Sequence, residues 1–285
     1  MVWLEPMLYL SFIQAQAIVV GLNRSAQIEV SLDLELTQGC VRRDGDAAVF
    51  PDGQRLAIGQ VDKIAKDHSA VYVIEADAAE KLARFSDQTQ KLYKLRPTQS
   101  WPALEISGVL MHRISGTDPQ KDVHNKIEAL APLHGRVLDT CFGLGYTAIG
   151  AAATAASVTS VEVDPNVLAL ARLNPYSRRA FEDPKIKIVH DDAARLIEES
   201  DTAAFNTVIH DPPTLSVAGG LYADAFYHQL HRVLGRGGKL LHYTGAPGSK
   251  YRGVDLPRRV SQRLKTAGFR RVAVHPLTLS VLAWR

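Results

Sequence analysis

Four acids stand at the ends of short apolar runs in the second half of this chain: Asp139, Glu162, Asp192 and Asp211. After the first comes Thr140-Cys141-Phe142-Gly143-Leu144-Gly145, then Tyr146-Thr147-Ala148 and an alanine-rich stretch. Glycines at 143 and 145 let the backbone approach a ligand in conformations that a Cβ blocks. The helix start behind them offers N–H groups without intrahelical partners. Glu162, in Val161-Glu162-Val163-Asp164, follows the loop by about 20 residues, where an acid accepts both ribose hydroxyls. Such a set is suited to holding a nucleoside-bearing cofactor.

The elements that position these residues are legible from periodicity. From Arg136 onward strands alternate with helices, the pattern of a mostly parallel sheet wound on both faces. Strands are expected near 136–140, 158–163, 186–190, 206–210 and 238–243, and helices near 146–156, 166–173, 193–199, 221–234 and 256–267. Phe269 to His275 and Leu277 to Trp284 break the alternation as two strands joined by a turn at Pro276. Upstream, Asp118-Pro119 opens a helix through about Leu130. Ile28 to Leu36 alternates as a half-buried strand, and Ala70 to Ile74 reads as another, with turn signals at Arg43-Asp44-Gly45 and Pro51-Asp52-Gly53. Residues 1–116 therefore form a smaller β-rich domain, expected to recognise substrate, and residues 117–285 the cofactor domain.

Composition narrows the setting. Net charge is +3 over 285 residues, which alone does not indicate nucleic acid. Cys40 and Cys141 have no paired spacing, so neither a disulfide framework nor a metal site is expected. Met7 to Leu22 is apolar but shorter than the ~20 residues of a membrane helix and carries Gln14 and Gln16. A packed helix or strand, or an over-extended start, is expected there, in a cytoplasmic protein with no membrane partner.

The loop alone admits two cofactors. Gly143-x-Gly145-x-x-Ala148 also satisfies the dinucleotide fingerprint. The Asp-Pro-Pro of His210-Asp211-Pro212-Pro213-Thr214 and the closing hairpin argue against a dinucleotide. With those features the second half of the chain, about residues 117–285, resembles class I S-adenosylmethionine-dependent methyltransferases. The resemblance implies a doubly wound, Rossmann-like α/β fold with a mostly parallel seven-stranded sheet. It implies S-adenosyl-L-methionine as cofactor, held by Asp139, Cys141, Gly143, Gly145, Tyr146, Glu162, Asp192, Ala193 and Asp211. In that family the acid ending the first strand meets the cofactor's ammonium or orders the loop, the Asp-Ala pair reads the adenine edge, and the loop after the fourth strand lies beside the departing methyl group. Cys141 replaces the family's first loop glycine, so its backbone must avoid positive φ.

Asp211 and Pro212 are the expected catalytic residues. The prolines fix φ and remove two donors, holding the nearby carbonyls rigidly towards an N–H acceptor. Thr214 stands where related loops carry a stacking aromatic, leaving Tyr222, Phe226 or Tyr243 to offer a ring. Thr214, His242, Tyr243, Lys250, Tyr251 and Arg252 are the expected substrate contacts, the last three in a basic glycine-rich loop suited to RNA or another anionic acceptor. His210 is expected to face away from the site, as a core histidine.

The arrangement of motifs further resembles a little-characterised, largely archaeal group of predicted methyltransferases, some labelled spermine-synthase-like. Spermidine synthases also set a β-domain before this fold, but use decarboxylated S-adenosylmethionine and transfer an aminopropyl group to an amine. Their Asp-Ser/Thr-Ser/Thr-Asp loop has two acids where Asp-Pro-Pro-Thr has one, and Lys250 and Arg252 would repel a polycation. Methyl transfer is the better reading, aminopropyl transfer the alternative, and a degenerate, non-enzymatic binding domain a third.

Overall fold

The computed structural model describes residues 7–213, 218–245 and 255–285. The chain divides into two compact units, residues 1–119 and 120–285.

Among the described residues, the first unit holds three small antiparallel sheets and two helices. Its apolar start is split by Ser11 into a strand, Leu8–Leu10, and a helix, Phe12–Leu22. Ser11 and Gln14 form a capping box, with Ser11 Oγ accepting from the Ile13 N–H at 3.2 Å and Gln14 Oε1 accepting from the Ser11 N–H at 2.9 Å. Ala15, Ile18 and Leu22 bury against Val30, Val41 and Leu56 of the neighbouring sheet strands. Among the described residues no helix is long and apolar enough to cross a membrane.

The expected strand over 28–36 is shorter. It spans Gln27–Val30, after which Ser31 and Asp33 turn the chain. Ser31 Oγ accepts from the Glu35 N–H at 2.6 Å and Asp33 Oδ1 from the Thr37 N–H at 2.8 Å, while Leu34 and Glu35 take positive φ. Local side-chain hydrogen bonds outcompete the sheet there, which alternation does not reveal. A helix at Ile58–Ala65, burying Val61, Ile64 and Ala65, was likewise not expected in this β-rich unit.

The second unit opens with α1 (Pro119–Leu130) and is built on one seven-stranded sheet. Its strands are β1 (Arg136–Asp139), β2 (Ser157–Glu162), β3 (Ile186–His190), β4 (Phe205–His210), β5 (Leu234–Tyr243), β6 (Arg271–His275) and β7 (Ser280–Trp284). Their spatial order is 3-2-1-4-5-7-6. The first five run parallel, whereas β7 is antiparallel to both neighbours, so the sheet is mixed. Helices α2 (Tyr146–Ala152), α3 (Pro165–Arg172), α4 (Arg178–Glu182), α5 (Ala193–Glu199), α6 (Asp224–Val233) and α7 (Leu256–Thr266) fill the connections. The sequence reading lacks α4 and the 3₁₀ turn before it at Pro175–Ser177, both too short to show a period.

Both faces of this sheet are buried, and the period of two sorts residues between them. Val137, Ile209, Leu241 and Leu282 pack on one side with α2 and Leu130; Leu138, Val208, Leu240 and Val281 pack on the other with α6 and α7. The strand order reverses between β1 and β4, so the crevice for a ligand opens where those two strands end, at Asp139 and His210.

Candidate active site

Asp139 ends β1, and its register neighbour on β2 is Ser160. Its Oδ2 accepts hydrogen bonds from the Ser160 hydroxyl at 2.7 Å and the Thr147 hydroxyl of α2 at 3.1 Å. Its Oδ1 is buried and has no hydrogen-bond partner among the described residues. Burial raises this carboxyl to about 7, against the Ser160 and Thr147 hydroxyls and the nearby Cys141 N–H, which favour its charged form, and the Asp211 charge adds to the rise. A buried carboxylate oxygen without a donor is costly unless something cationic or N–H-bearing arrives.

The loop above it is shaped by its glycines. Gly143 and Gly145 have φ of +56° and +75°. A Cβ on Gly145 would sit 2.6 Å from the Phe142 ring and 3.0 Å from Ala180, whereas one on Gly143 would meet nothing within 4 Å. The second glycine is therefore locked against the core while the first faces open space. Glu162 ties the loop down: Oε2 accepts from the Gly143 N–H at 2.9 Å and Oε1 from the Asp164 N–H at 3.0 Å. Burial is the chief cause of its raised pKa. The Val163 N–H also favours its charged form, and a carboxylate has about four acceptor positions, so room for an incoming hydroxyl remains. Cys141 avoids positive φ, and burial first, then the Glu162 charge, push its thiol well above its ordinary value. It is a packing residue without nucleophilic character.

Of the expected cofactor contacts, the Tyr146 side chain is committed elsewhere, and Asp192 commits one of its two oxygens. Tyr146 is buried, its hydroxyl accepting from Asn174 Nδ2 at 2.8 Å, so only its backbone, at the first turn of α2, remains at the loop. Asp192 caps α5, with Oδ1 accepting from the Ala194 N–H at 2.7 Å; it is exposed and Ala193 buried.

Asp211 follows β4, and the sequence reading missed its main partner. Lys126 Nζ on α1 lies 2.6 Å from Asp211 Oδ2 and 2.7 Å from Asp122 Oδ2. It also stands 4.6 Å above the centre of the Tyr243 ring. Burial would lower its pKa, but the charges of Asp211 and Asp122 and their hydrogen bonds outweigh that and hold it above its ordinary value. In the sequence, Asp122 and Lys126 are an i,i+4 pair of the kind that decorates solvated helix faces, so nothing marked the lysine as buried.

Neither histidine of the edge reaches this face. His210 is fully buried, with Thr140 Oγ1 2.7 Å from Nδ1 and the Leu221 carbonyl 3.0 Å from Nε2; burial lowers its pKa to about 4. His242, expected as a substrate contact, is its register partner on β5 and equally buried. Tyr227 Oη lies 3.0 Å from Nε2 and the Tyr243 carbonyl 2.9 Å from Nδ1, leaving no ring nitrogen for a substrate. Tyr222 and Phe226 are buried in the same cluster, which removes both as stacking surfaces. Tyr222 does another job: its hydroxyl donates to the Pro213 carbonyl at 3.0 Å, pinning the Asp-Pro-Pro segment. Tyr243, half-buried beside Lys126, is the expected ring that stays at the site. Thr214, Lys250, Tyr251 and Arg252 lie outside the described residues. Among the described residues no group of three or more His, Cys, Asp or Glu is arranged to hold a metal.

Residues 124–246 match the model of the methyltransferase small domain. A polyamine aminopropyltransferase of Pseudomonas syringae is 31% identical over 36% of this chain and 36% of its own, and one of Streptomyces coelicolor is 28% identical over 56% and 30%. The chain thus spans about a third of these two enzymes. Among solved structures, a spermidine synthase in complex with the transition-state analogue AdoDATO superposes with a TM-score of 0.58 at 17% identity, covering 73% of this chain and 76% of that one. The spermidine synthase of Thermotoga maritima gives 0.54 at 18% identity, covering 73% and 75%. At such identities the likeness is one of fold. The uncharacterized protein MJ1233 of Methanocaldococcus jannaschii is 42% identical over 92% of this chain and 90% of its own. The match of residues 124–246 supports an enzyme of the S-adenosylmethionine-dependent transferase kind, and this chain belongs to the family of MJ1233.

Proposed function

We propose that this protein transfers a methyl group from S-adenosylmethionine to a nitrogen of an acceptor in RNA, a protein or an anionic small molecule. The observation that carries the cofactor assignment is the buried, unpartnered Oδ1 of Asp139 beneath a glycine loop with open space at Gly143. The cofactor's ammonium supplies the missing partner, Glu162 accepts the ribose hydroxyls, and Asp192 with the Ala193 N–H reads the adenine edge. When bound, the cofactor supplies a methyl carbon already activated by its sulfonium, so the protein's task is positioning and desolvation.

Asp211 and the Asp-Pro-Pro backbone perform that task. Lys126 fixes Asp211 Oδ2 and Tyr222 fixes the Pro213 carbonyl, which leaves Asp211 Oδ1 to accept from an acceptor N–H and aim its lone pair at the methyl carbon. The smaller first unit is assigned to acceptor recognition. The cytoplasm, where the cofactor is made, is the proposed location.

Aminopropyl transfer is the second reading, favoured by the likeness to polyamine aminopropyltransferases and spermidine synthases. Calorimetry with S-adenosylmethionine, its decarboxylated form and NAD separates the classes. Binding of the decarboxylated form alone rejects methyl transfer, and binding of none rejects the enzyme. Transfer of labelled methyl to fractionated RNA, protein and metabolite pools, in wild type and Asp211→Ala, then identifies the acceptor; equal labelling by both removes Asp211 from the mechanism.

A further inference from the structure

Lys126 is nearly inaccessible, with 4% of its side chain exposed, yet it reaches Asp211, the acid proposed to face the acceptor. Its three N–H donors have three destinations: Asp211 Oδ2, Asp122 Oδ2 and the face of Tyr243. It is therefore held in one place. The two carboxylates differ in access, Asp122 being 5% exposed and Asp211 24%, so Asp211 alone offers an edge to an incoming molecule.

The same Asp211 would have to bind an ammonium if the acceptor were a polyamine. An ammonium at Asp211 Oδ1 comes within ~5 Å of Lys126 Nζ. At an effective dielectric near 20, the repulsion weakens its binding on the order of a hundredfold relative to the same acid without the lysine. An uncharged N–H pays no such penalty and still finds a fixed acceptor oxygen. We propose that Lys126 is a positioning and specificity residue: it locks Asp211 as a one-edged hydrogen-bond acceptor and selects an uncharged nitrogen over a polycation. The proposal rests on Asp211 facing the acceptor, as in the function proposed above.

The test titrates spermidine, as the probe cation, into the full chain saturated with S-adenosylhomocysteine. Wild type, Lys126→Met, Lys126→Arg and Asp211→Asn are compared, and S-adenosylhomocysteine affinity is measured first for each. Lys126→Met is expected to gain about a hundredfold in spermidine affinity, with Lys126→Arg like wild type and nucleoside affinity unchanged. Equal spermidine affinity in Lys126→Met and wild type overturns the proposal, as does turnover of decarboxylated S-adenosylmethionine with spermidine by the wild type. Should Lys126→Met not fold, Lys126→Gln takes its place under the same outcomes; Asp211→Asn, which leaves the lysine charge facing the probe, is expected to bind spermidine no better than wild type, and a gain there overturns the proposal. Failure of the wild type to bind S-adenosylhomocysteine instead rejects the cofactor reading.

Discussion

The raised pKa of Asp139 makes a quantitative prediction about Asp139→Asn. In the fold this carboxyl keeps its proton up to about 7, against an ordinary 3.8, because it is buried with one oxygen unpartnered. Between those pH values the folded state binds more protons than the unfolded chain, so stability falls as pH rises and levels off above 7. The full loss is roughly 4 kcal/mol, of which about 3 kcal/mol falls between pH 5 and 8, at 1.36 kcal/mol for each tenfold step. Asparagine carries no charge and cannot lose stability this way, though Ser160 and Thr147 must turn their hydroxyls to suit it. Urea unfolding of both proteins at pH 5, 6, 7 and 8 measures the difference, in which other titrating groups, His210 included, cancel. Wild type is expected to lose about 3 kcal/mol relative to Asp139→Asn across that range, with equal m values. The same titration governs binding, so the wild type's affinity for S-adenosylhomocysteine should weaken as pH drops below 7. A stability difference that stays flat from pH 5 to 8 would refute a buried, neutral Asp139.

Three further changes test the frame around it. Gly145→Ala combines a left-handed φ with a Cβ 2.6 Å from the Phe142 ring, and should cost about 2–4 kcal/mol in urea unfolding along with S-adenosylhomocysteine binding. Tyr222→Phe removes the donor to the Pro213 carbonyl; it should cost about 1 kcal/mol and slow transfer while nucleoside affinity, read by calorimetry, is kept. Cys141, its thiol raised by burial and the Glu162 charge, should react with iodoacetamide at pH 8 far more slowly in the fold than in urea, and more slowly still with S-adenosylhomocysteine bound, as followed by mass spectrometry.

The local half of this site was legible without coordinates. Asp139, Gly143, Gly145, Glu162 and Asp192 lie on consecutive strand-loop-helix units, whose positions follow from apolar runs, glycines and caps. The strand ends were read to within a residue or two, except that β5 begins at Leu234, four residues before the expected 238, and β7 at Ser280, three after the expected Leu277. The strand over 28–36 failed because Ser31 and Asp33 bind the backbone locally, and a short helix such as α4 has too few residues to declare a period.

What the sequence by itself determined is the kind of ligand and the edge of the sheet where it sits, since both are carried by residues close together along the chain. The tertiary structure decided which side chains face that edge. Period two sends Asp211 and Tyr243 to the face of Lys126, while His210 and His242, their immediate neighbours, meet ring to ring on the other, 4.4 Å apart. The lysine that neutralises Asp211 is 85 residues away in sequence, on a helix whose pattern reads as solvated. Such a pairing depends on how α1 packs against the sheet, and long-range packing leaves no spacing in the chain to read.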